Sequence, residues 1–221
     1  MITFAFDSCS KTASVAILQK KQVLYETLLN KGLHHSEVLL PAIDEAFRLT
    51  NLLVTDIDFF ACTLGPGSFT GLRIGLSTLK GFMLATEKPA AGVSSLAALA
   101  LNVKEKERNI CAMMDAGRGQ VYYASYQYDQ NGLLQELETA KAVNPRLIAE
   151  SASPNVVYVG DGAIKYADLF PSSLRQNIAP AYQQFLCASS VGLLALENYR
   201  QGNFLSPETC VPFYLRSTDV T

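Results

Sequence analysis

Apolar and polar positions along the chain change period twice, and then the pattern begins again. Ile2 to Phe6 is a short apolar run stopped by Asp7. After the polar stretch Ser8-Cys9-Ser10-Lys11-Thr12, residues Ser14 to Leu18 alternate, and beyond Lys20-Lys21-Gln22 a third run extends from Val23 to Leu29. Short runs of this kind, separated by polar turns, predict a three-stranded meander. The spacing then lengthens: Leu39, Leu40, Ile43, Ala46 and Phe47 recur on a 3.6-residue period, which predicts a helix with Ser36 as its N-cap. Pro41 in the early turns predicts either a kink or a start nearer Pro41 itself. Asp56 to Thr63 reads as strand, Leu72 to Thr86 as helix, Ala90 to Val93 as strand and Ser94 to Val103 as helix, with Lys88-Pro89 closing the second helix.

The second half repeats this order. Ile110 to Met114 runs into Asp115, Ala116 to Gln120 turns, Val121 to Tyr128 alternates, Asp129-Gln130-Asn131-Gly132 turns, and Leu133 to Thr139 makes a third strand. A short helix from Asn144-Pro145, a strand over Val156 to Val159, a turn at Gly160-Asp161-Gly162 and a helix over Cys187 to Gln201 follow. Pro171 and Pro180 interrupt the stretch before that last helix, and the tail from Phe204 to Arg216 reads as extended. Two copies of strand-strand-strand-helix-strand-helix predict an α/β protein of two related lobes, with residues 1–103 as the N-terminal lobe and 104–221 as the C-terminal one. The mixed-charge run Lys104-Glu105-Lys106-Glu107-Arg108 marks the junction.

Composition narrows the chemistry. With 49% apolar and 17% charged residues in 221, a sizeable core is available. A formal charge of −2 argues against a protein that grips nucleic acid unaided, because phosphate neutralisation needs a surplus of Lys and Arg. The five cysteines are scattered and form no Cys-x-x-Cys pair, so neither a disulfide framework nor a zinc knuckle is expected, and reduced thiols in the cytoplasm are. The N-terminus lacks the basic and long apolar regions of a signal peptide. Leu72 to Thr86 carries Arg73 and Lys80 and is too short for a membrane span of about 20 apolar residues. The two histidines, His34 and His35, are neighbours whose side chains diverge, so they cannot chelate one ion as an i, i+4 pair does. No Gly-x-Ser-x-Gly elbow and no Gly-Lys-Ser/Thr loop occurs.

Two features keep a binding role open. In Gly65-Pro66-Gly67-Ser68-Phe69-Thr70-Gly71, glycines precede a helix, so successive amides can converge on an anion, or the loop is a close-packed turn. The aspartates that end the first strand of each meander, Asp7 and Asp115, either hold a nucleotide and metal with Ser8, Gly65 and Gly67, or cap their turns. Gly71, Gly75 and Gly81 cost about 1 kcal/mol each inside a helix. Close approach of another helix, within the lobe or across an interface, is their expected reason.

Phe6-Asp7-Ser8, His35-Ser36-Glu37-Val38-Leu39-Leu40-Pro41-Ala42-Ile43, Gly65 to Gly75, Asp115-Ala116-Gly117-Arg118-Gly119-Gln120-Val121-Tyr122 and Pro212-Phe213-Tyr214-Leu215-Arg216, in this order, resemble the bacterial TsaB (YeaZ) family over the full length. The resemblance implies a two-lobe actin-like, Hsp70-like fold. It implies a non-catalytic subunit in the synthesis of N6-threonylcarbamoyladenosine at position 37 of tRNA, binding and supporting the transferase TsaD. TsaE is implied as a further ATP-hydrolysing partner, and TsaC as the supplier of threonylcarbamoyl adenylate. Also implied are a homodimer when TsaD is absent, tRNA contact mainly through the complex, no resident cofactor beyond a nucleotide at a complex interface, no metal and no membrane. The family pairs through its first two helices, which puts Leu39, Leu40, Ile43, Phe47, Ile74, Ser77 and Thr78 at the contact. Where family members read Asp-Ala-Arg-Arg-Gly-Glu-Val-Tyr, this chain has Gly117 and Gln120. The alternative is an ATP-dependent small-molecule kinase of the actin-like fold, working through Asp7 and Asp115.

Overall fold

The computed structural model describes residues 1–30 and 35–215, apart from the side chains of His35 and Ser36, so the Ser36 cap, His34 and Arg216 lie outside the described residues. The chain forms two compact units, the first made of Met1–Ser95 with Leu186–Phe213 and the second built on Leu96–Phe185.

In the first unit β1 (Ile2–Asp7), β2 (Ala13–Gln19), β3 (Gln22–Leu29), β4 (Phe59–Gly65) and β5 (Ala90–Ser94) form one sheet of order β3-β2-β1-β4-β5. β1 runs antiparallel to β2, with Phe6 opposite Val15, and parallel to β4, with Phe4 opposite Phe60. As the central strand it is covered on both faces, which is why Ile2 to Phe6 reads as a continuous apolar run rather than an alternating one.

Side-chain alternation divides the two faces. Phe4, Phe6, Val15, Ile17, Phe60 and Cys62 share one core with Leu39, Ile43 and Ala46 of α1 (His35–Thr50) and Leu76, Leu79 and Met83 of α2 (Phe69–Thr86). Phe4 stacks on Phe47 at 5.1 Å and Phe60 on Phe82 at 5.0 Å between ring centroids. Pro41 sits inside α1, which begins before it, and is exposed.

The opposite face carries Ala5, Leu18 and Phe59. A late helix, Ala188–Arg200, covers it. Gly192 lets that helix lie close, since a Cβ there would stand 2.6 Å from Leu18 Cδ1, and Tyr199 meets Phe59 edge-on at 5.0 Å. Its first amides are already satisfied: Ala188 N donates to Ser14 Oγ at 2.9 Å and Ser189 N to Glu26 Oε1 at 2.8 Å. The division expected between residues 103 and 104 left this helix in the C-terminal lobe. A sheet whose central strand is apolar on both faces needs a layer on each side, and the chain returns to supply the second.

The second unit holds α3 (Ser95–Ala100), β6 (Asn109–Gly117), β7 (Gln120–Tyr128), β8 (Leu134–Val143), α4 (Pro145–Glu150), β9 (Val156–Val159) and α5 (Asp161–Lys165). The late helix Ala188–Arg200 is therefore α6. The sheet order β8-β7-β6-β9, with β6 antiparallel to β7 and parallel to β9, repeats β3-β2-β1-β4 of the first unit. Cys111, Met113, Val121, Ile148, Tyr158, Ala163 and Phe170 form its core.

Candidate functional site: two aspartate turns and a helical face

Asp7 is fully buried. Its Oδ1 accepts from Cys9 N at 3.1 Å and from the Thr63 hydroxyl, and Oδ2 accepts from Ser10 Oγ at 3.1 Å. Both carboxylate oxygens are thus engaged by neighbours in the fold. Above them lies the glycine stretch. Ser68 caps α2 by accepting from Gly71 N at 3.2 Å, while Ser68 N donates to Cys9 O at 2.7 Å. An amide at the helix start that would serve an anion therefore serves the Ser8–Cys9 turn.

The glycines explain how that turn fits. A Cβ at Gly67 would stand 2.5 Å from Cys9 O, one at Gly71 1.9 Å from Ser8 O and one at Gly75 2.8 Å from Ser8 Oγ. Ser8 Oγ in turn donates to Gly71 O at 2.9 Å. Gly65, at φ +119°, is crossed by the C-terminal segment: Phe213 N donates to Leu64 O at 2.7 Å, and a Cβ at Gly65 would lie 2.6 Å from Phe213 O. The helical glycines Gly71 and Gly75 do admit a close neighbour, but it is the chain's own Ser8–Cys9 turn and not the second helix expected of them, while Gly65 admits the tail. Cys9, packed beside Ser95 with Sγ and Oγ 3.0 Å apart, has its thiol pushed well up, first by burial and then by the Asp7 carboxylate. It stays a protonated thiol rather than a nucleophile.

Asp115 lies two residues before the end of β6, in a somewhat more open setting. Its Oδ1 accepts from Gly117 N at 3.1 Å and Oδ2 from Lys165 Nζ at 2.8 Å, and Asp115 N donates to Asp161 Oδ1 at 3.0 Å. Gly117, Arg118 and Gly119 all take positive φ, at 69°, 51° and 74°, and a Cβ on either glycine would meet nothing within 4 Å. The hydrogen bond from Lys165 to Asp115 raises the Lys165 pKa. Among the described residues no cluster of three His, Cys, Asp or Glu side chains is placed to hold a metal ion.

The helical face divides the expected contact residues. Leu39 and Ile43 are buried in the first unit's core, and Phe47, half-buried, packs on Phe4. Leu40 is 61% exposed; Ser77 is exposed, and Ile74 and Thr78 are half-buried. Two further residues extend this surface along α2. Leu84 is 70% exposed, and Gly81 has nothing within 4 Å of the Cβ it lacks. Ile74, Ser77, Gly81 and Leu84 follow helical spacing, and that periodicity was the signal for Leu84.

The family model described as "TsaD: tRNA N6-adenosine threonylcarbamoyltransferase" matches residues 31–198. A relative from Escherichia coli K12, named tRNA threonylcarbamoyladenosine biosynthesis protein TsaB, is 31% identical over 98% of this chain and 95% of its own length. The Bacillus subtilis protein of the same name is 34% identical over 62% of this chain and 59% of its own. Among solved structures, a Pseudomonas aeruginosa protein described as similar to peptidase YEAZ superposes with a TM-score of 0.81 at 26% identity, covering 97% of this chain and 99% of that one. The activator of 2-hydroxyisocaproyl-CoA dehydratase from Clostridium difficile, at TM-score 0.50 and 14% identity over 91% of this chain and 97% of its own, shares the fold alone. The family model and the full-length match agree, and the chain belongs to the TsaB family of tRNA threonylcarbamoyladenosine biosynthesis proteins, within the wider group that the TsaD model describes.

Proposed function

We propose that the chain is a non-catalytic subunit of the machinery that makes N6-threonylcarbamoyladenosine at position 37 of tRNA, and that it binds and supports TsaD in the cytoplasm through the exposed surface of α1 and α2. The carrying observation is Gly81. A glycine inside an 18-residue helix costs about 1 kcal/mol, and among the described residues no neighbour needs the space it leaves. A partner helix that comes close at Ser77, Gly81 and Leu84, with Leu40, Ile74 and Thr78 beside it, gives that space a use. The same surface serves a second copy of the chain when TsaD is absent. TsaE and tRNA join at the level of the complex, as does any nucleotide, bound at its interfaces.

A non-catalytic role is supported by chemistry. The chain lacks the His-x-x-x-His pattern of TsaD relatives, Asp7 is engaged on both oxygens and Cys9 is held protonated. The test pairs Ser77→Arg with Leu84→Glu, both exposed sites at which the fold should survive. Co-purification with TsaD and tRNA modification in the reconstituted system are expected to be lost while the circular dichroism spectrum and melting temperature stay unchanged. Undiminished binding to TsaD overturns the assigned face, and ATP turnover by the isolated chain overturns the non-catalytic reading in favour of the kinase.

A further inference from the structure

The second unit contains a recess of about 270 Å³ that the reading above does not use, lined by Lys104, Arg108, Val157, Asn177, Pro180 and Gln183 among others. Its polar side chains are those of Lys104, Glu105, Arg108, Gln176, Asn177 and Gln183, and two features among them bear on a ligand. The first is cationic. Arg108 donates from Nε and Nη2 to Glu105 Oε2 at 3.3 and 2.8 Å, which leaves Nη1, and among the described residues Lys104 has no carboxylate partner. Two cations against the single carboxylate of Glu105 leave the lining with one positive charge. The second is an acceptor. Asn177 is only 7% exposed, and its amide is oriented by three backbone carbonyls, since Nδ2 donates to Ser153 O at 3.3 Å, Pro154 O at 3.0 Å and Val156 O at 3.1 Å. With Nδ2 spent, Oδ1 is the side-chain atom that Asn177 has left for a ligand.

Size and polarity together choose the ligand. The volume lies just below the usual range of ligand pockets, about 300–1,000 Å³, and suits a metabolite of a few carbons rather than a nucleotide. A bare carboxylate would satisfy Lys104 and Arg108 but set a negative oxygen against Asn177 Oδ1. A carboxylate with a hydroxyl or ammonium on the adjacent carbon supplies a donor for that oxygen and an acceptor for the cations. We propose that this recess binds a small 2-hydroxy- or 2-amino-carboxylate, with Lys104 and Arg108 on the carboxylate and Asn177 Oδ1 on the adjacent donor. Burial also holds the Lys104 ammonium below its ordinary pKa, so a counter-anion gains more there than on open surface.

The test is amide NMR of the isotopically labelled intact chain, titrated in parallel with L-lactate, L-serine, acetate and inorganic phosphate. Lactate or serine is expected to shift resonances confined to residues 103–108 and 176–183. Lys104→Met should weaken that binding about tenfold or more, the equivalent of one charge-assisted hydrogen bond, while Lys104→Arg retains it. Acetate, lacking the donor, should bind more weakly. The proposal is overturned if neither lactate nor serine shifts these segments, if Lys104→Met binds as tightly as the parent, or if acetate or phosphate binds as tightly as lactate. It is independent of TsaD, so its failure leaves the assigned helical face standing.

Discussion

Asp7 and Asp115 occupy similar places, Asp7 at the end of the first strand of its meander and Asp115 two residues before the end of its own, yet Asp7 is fully buried and the Asp115 side chain keeps 11% of its surface exposed. The difference lies in where the next glycine turn lands. In the first unit Gly71 and Gly67 press on Ser8 and Cys9, just past the aspartate. In the second, Gly160 presses on Met113, where a Cβ would stand 2.1 Å from its carbonyl oxygen, and Gly162 on Met113 and Met114, just before the aspartate. A shift of a few residues in the contact puts the start of α2 against the Ser8–Cys9 turn beside Asp7 and leaves Arg118 and Gly119, at the tip of the Asp115 hairpin, exposed. Repeated topology therefore fixes the position of a residue without fixing its work.

The largest expected effect comes from filling the sealed side. In Gly71→Ala the new Cβ would lie 1.9 Å from Ser8 O, backbone that cannot move without shifting the whole turn. We expect a loss of about 3 kcal/mol or more in urea denaturation. Gly117→Ala meets open space and suffers only its positive φ, at about 1 kcal/mol. Equal losses would break the comparison.

Next in size is the carboxylate itself. Asp7→Ala leaves the Thr63 hydroxyl and Cys9 N without their acceptor in a buried site, at about 3 kcal/mol. In Asp115→Ala, water can reach both Gly117 N and the exposed Lys165, so a small fraction of that loss is expected. Thermal melts of the two variants side by side give the ratio, and a ratio near one would place the two turns in the same environment.

The meanders, the repeat and the glycine-led helix were all legible, because period-two runs, polar turns and the cost of helical glycine are local signals. What failed to show was what lies far along the chain. The residue that Ser14 Oγ bonds in α6 is 174 positions away, so the return of Ala188–Arg200 to the first sheet had no local mark. Gly71 and Gly75 announced a close neighbour without naming it, and the neighbour, Ser8, is 63 positions earlier than Gly71. Leu39 and Ile43 of α1 were expected at the partner contact. They are consumed because that helix packs on the sheet and on α2 together, which takes more than one stripe of its surface. At Asp7, sequence pattern left nucleotide binding and turn capping open, since both use the same residues and only the partners of each oxygen separate them.

The smallest effect sharpens the comparison most, because it concerns the one glycine of α2 that the sealed turn does not explain. Gly81→Ala adds a methyl group into open space and removes the entropic cost of helical glycine, so the isolated chain should gain up to about 1 kcal/mol in urea denaturation. Gly75→Ala, with its Cβ 2.8 Å from Ser8 Oγ, should lose stability instead. If α2 has one side shaped for its own turn and the other for a partner, the Gly81→Ala chain should be more stable alone and weaker in co-purification with TsaD, two changes of opposite sign from one methyl group. A more stable chain that assembles with undiminished affinity would leave Gly81 an unexploited site and move the partner contact elsewhere on the first unit. A less stable one would show that the open side of α2 is already filled within the chain.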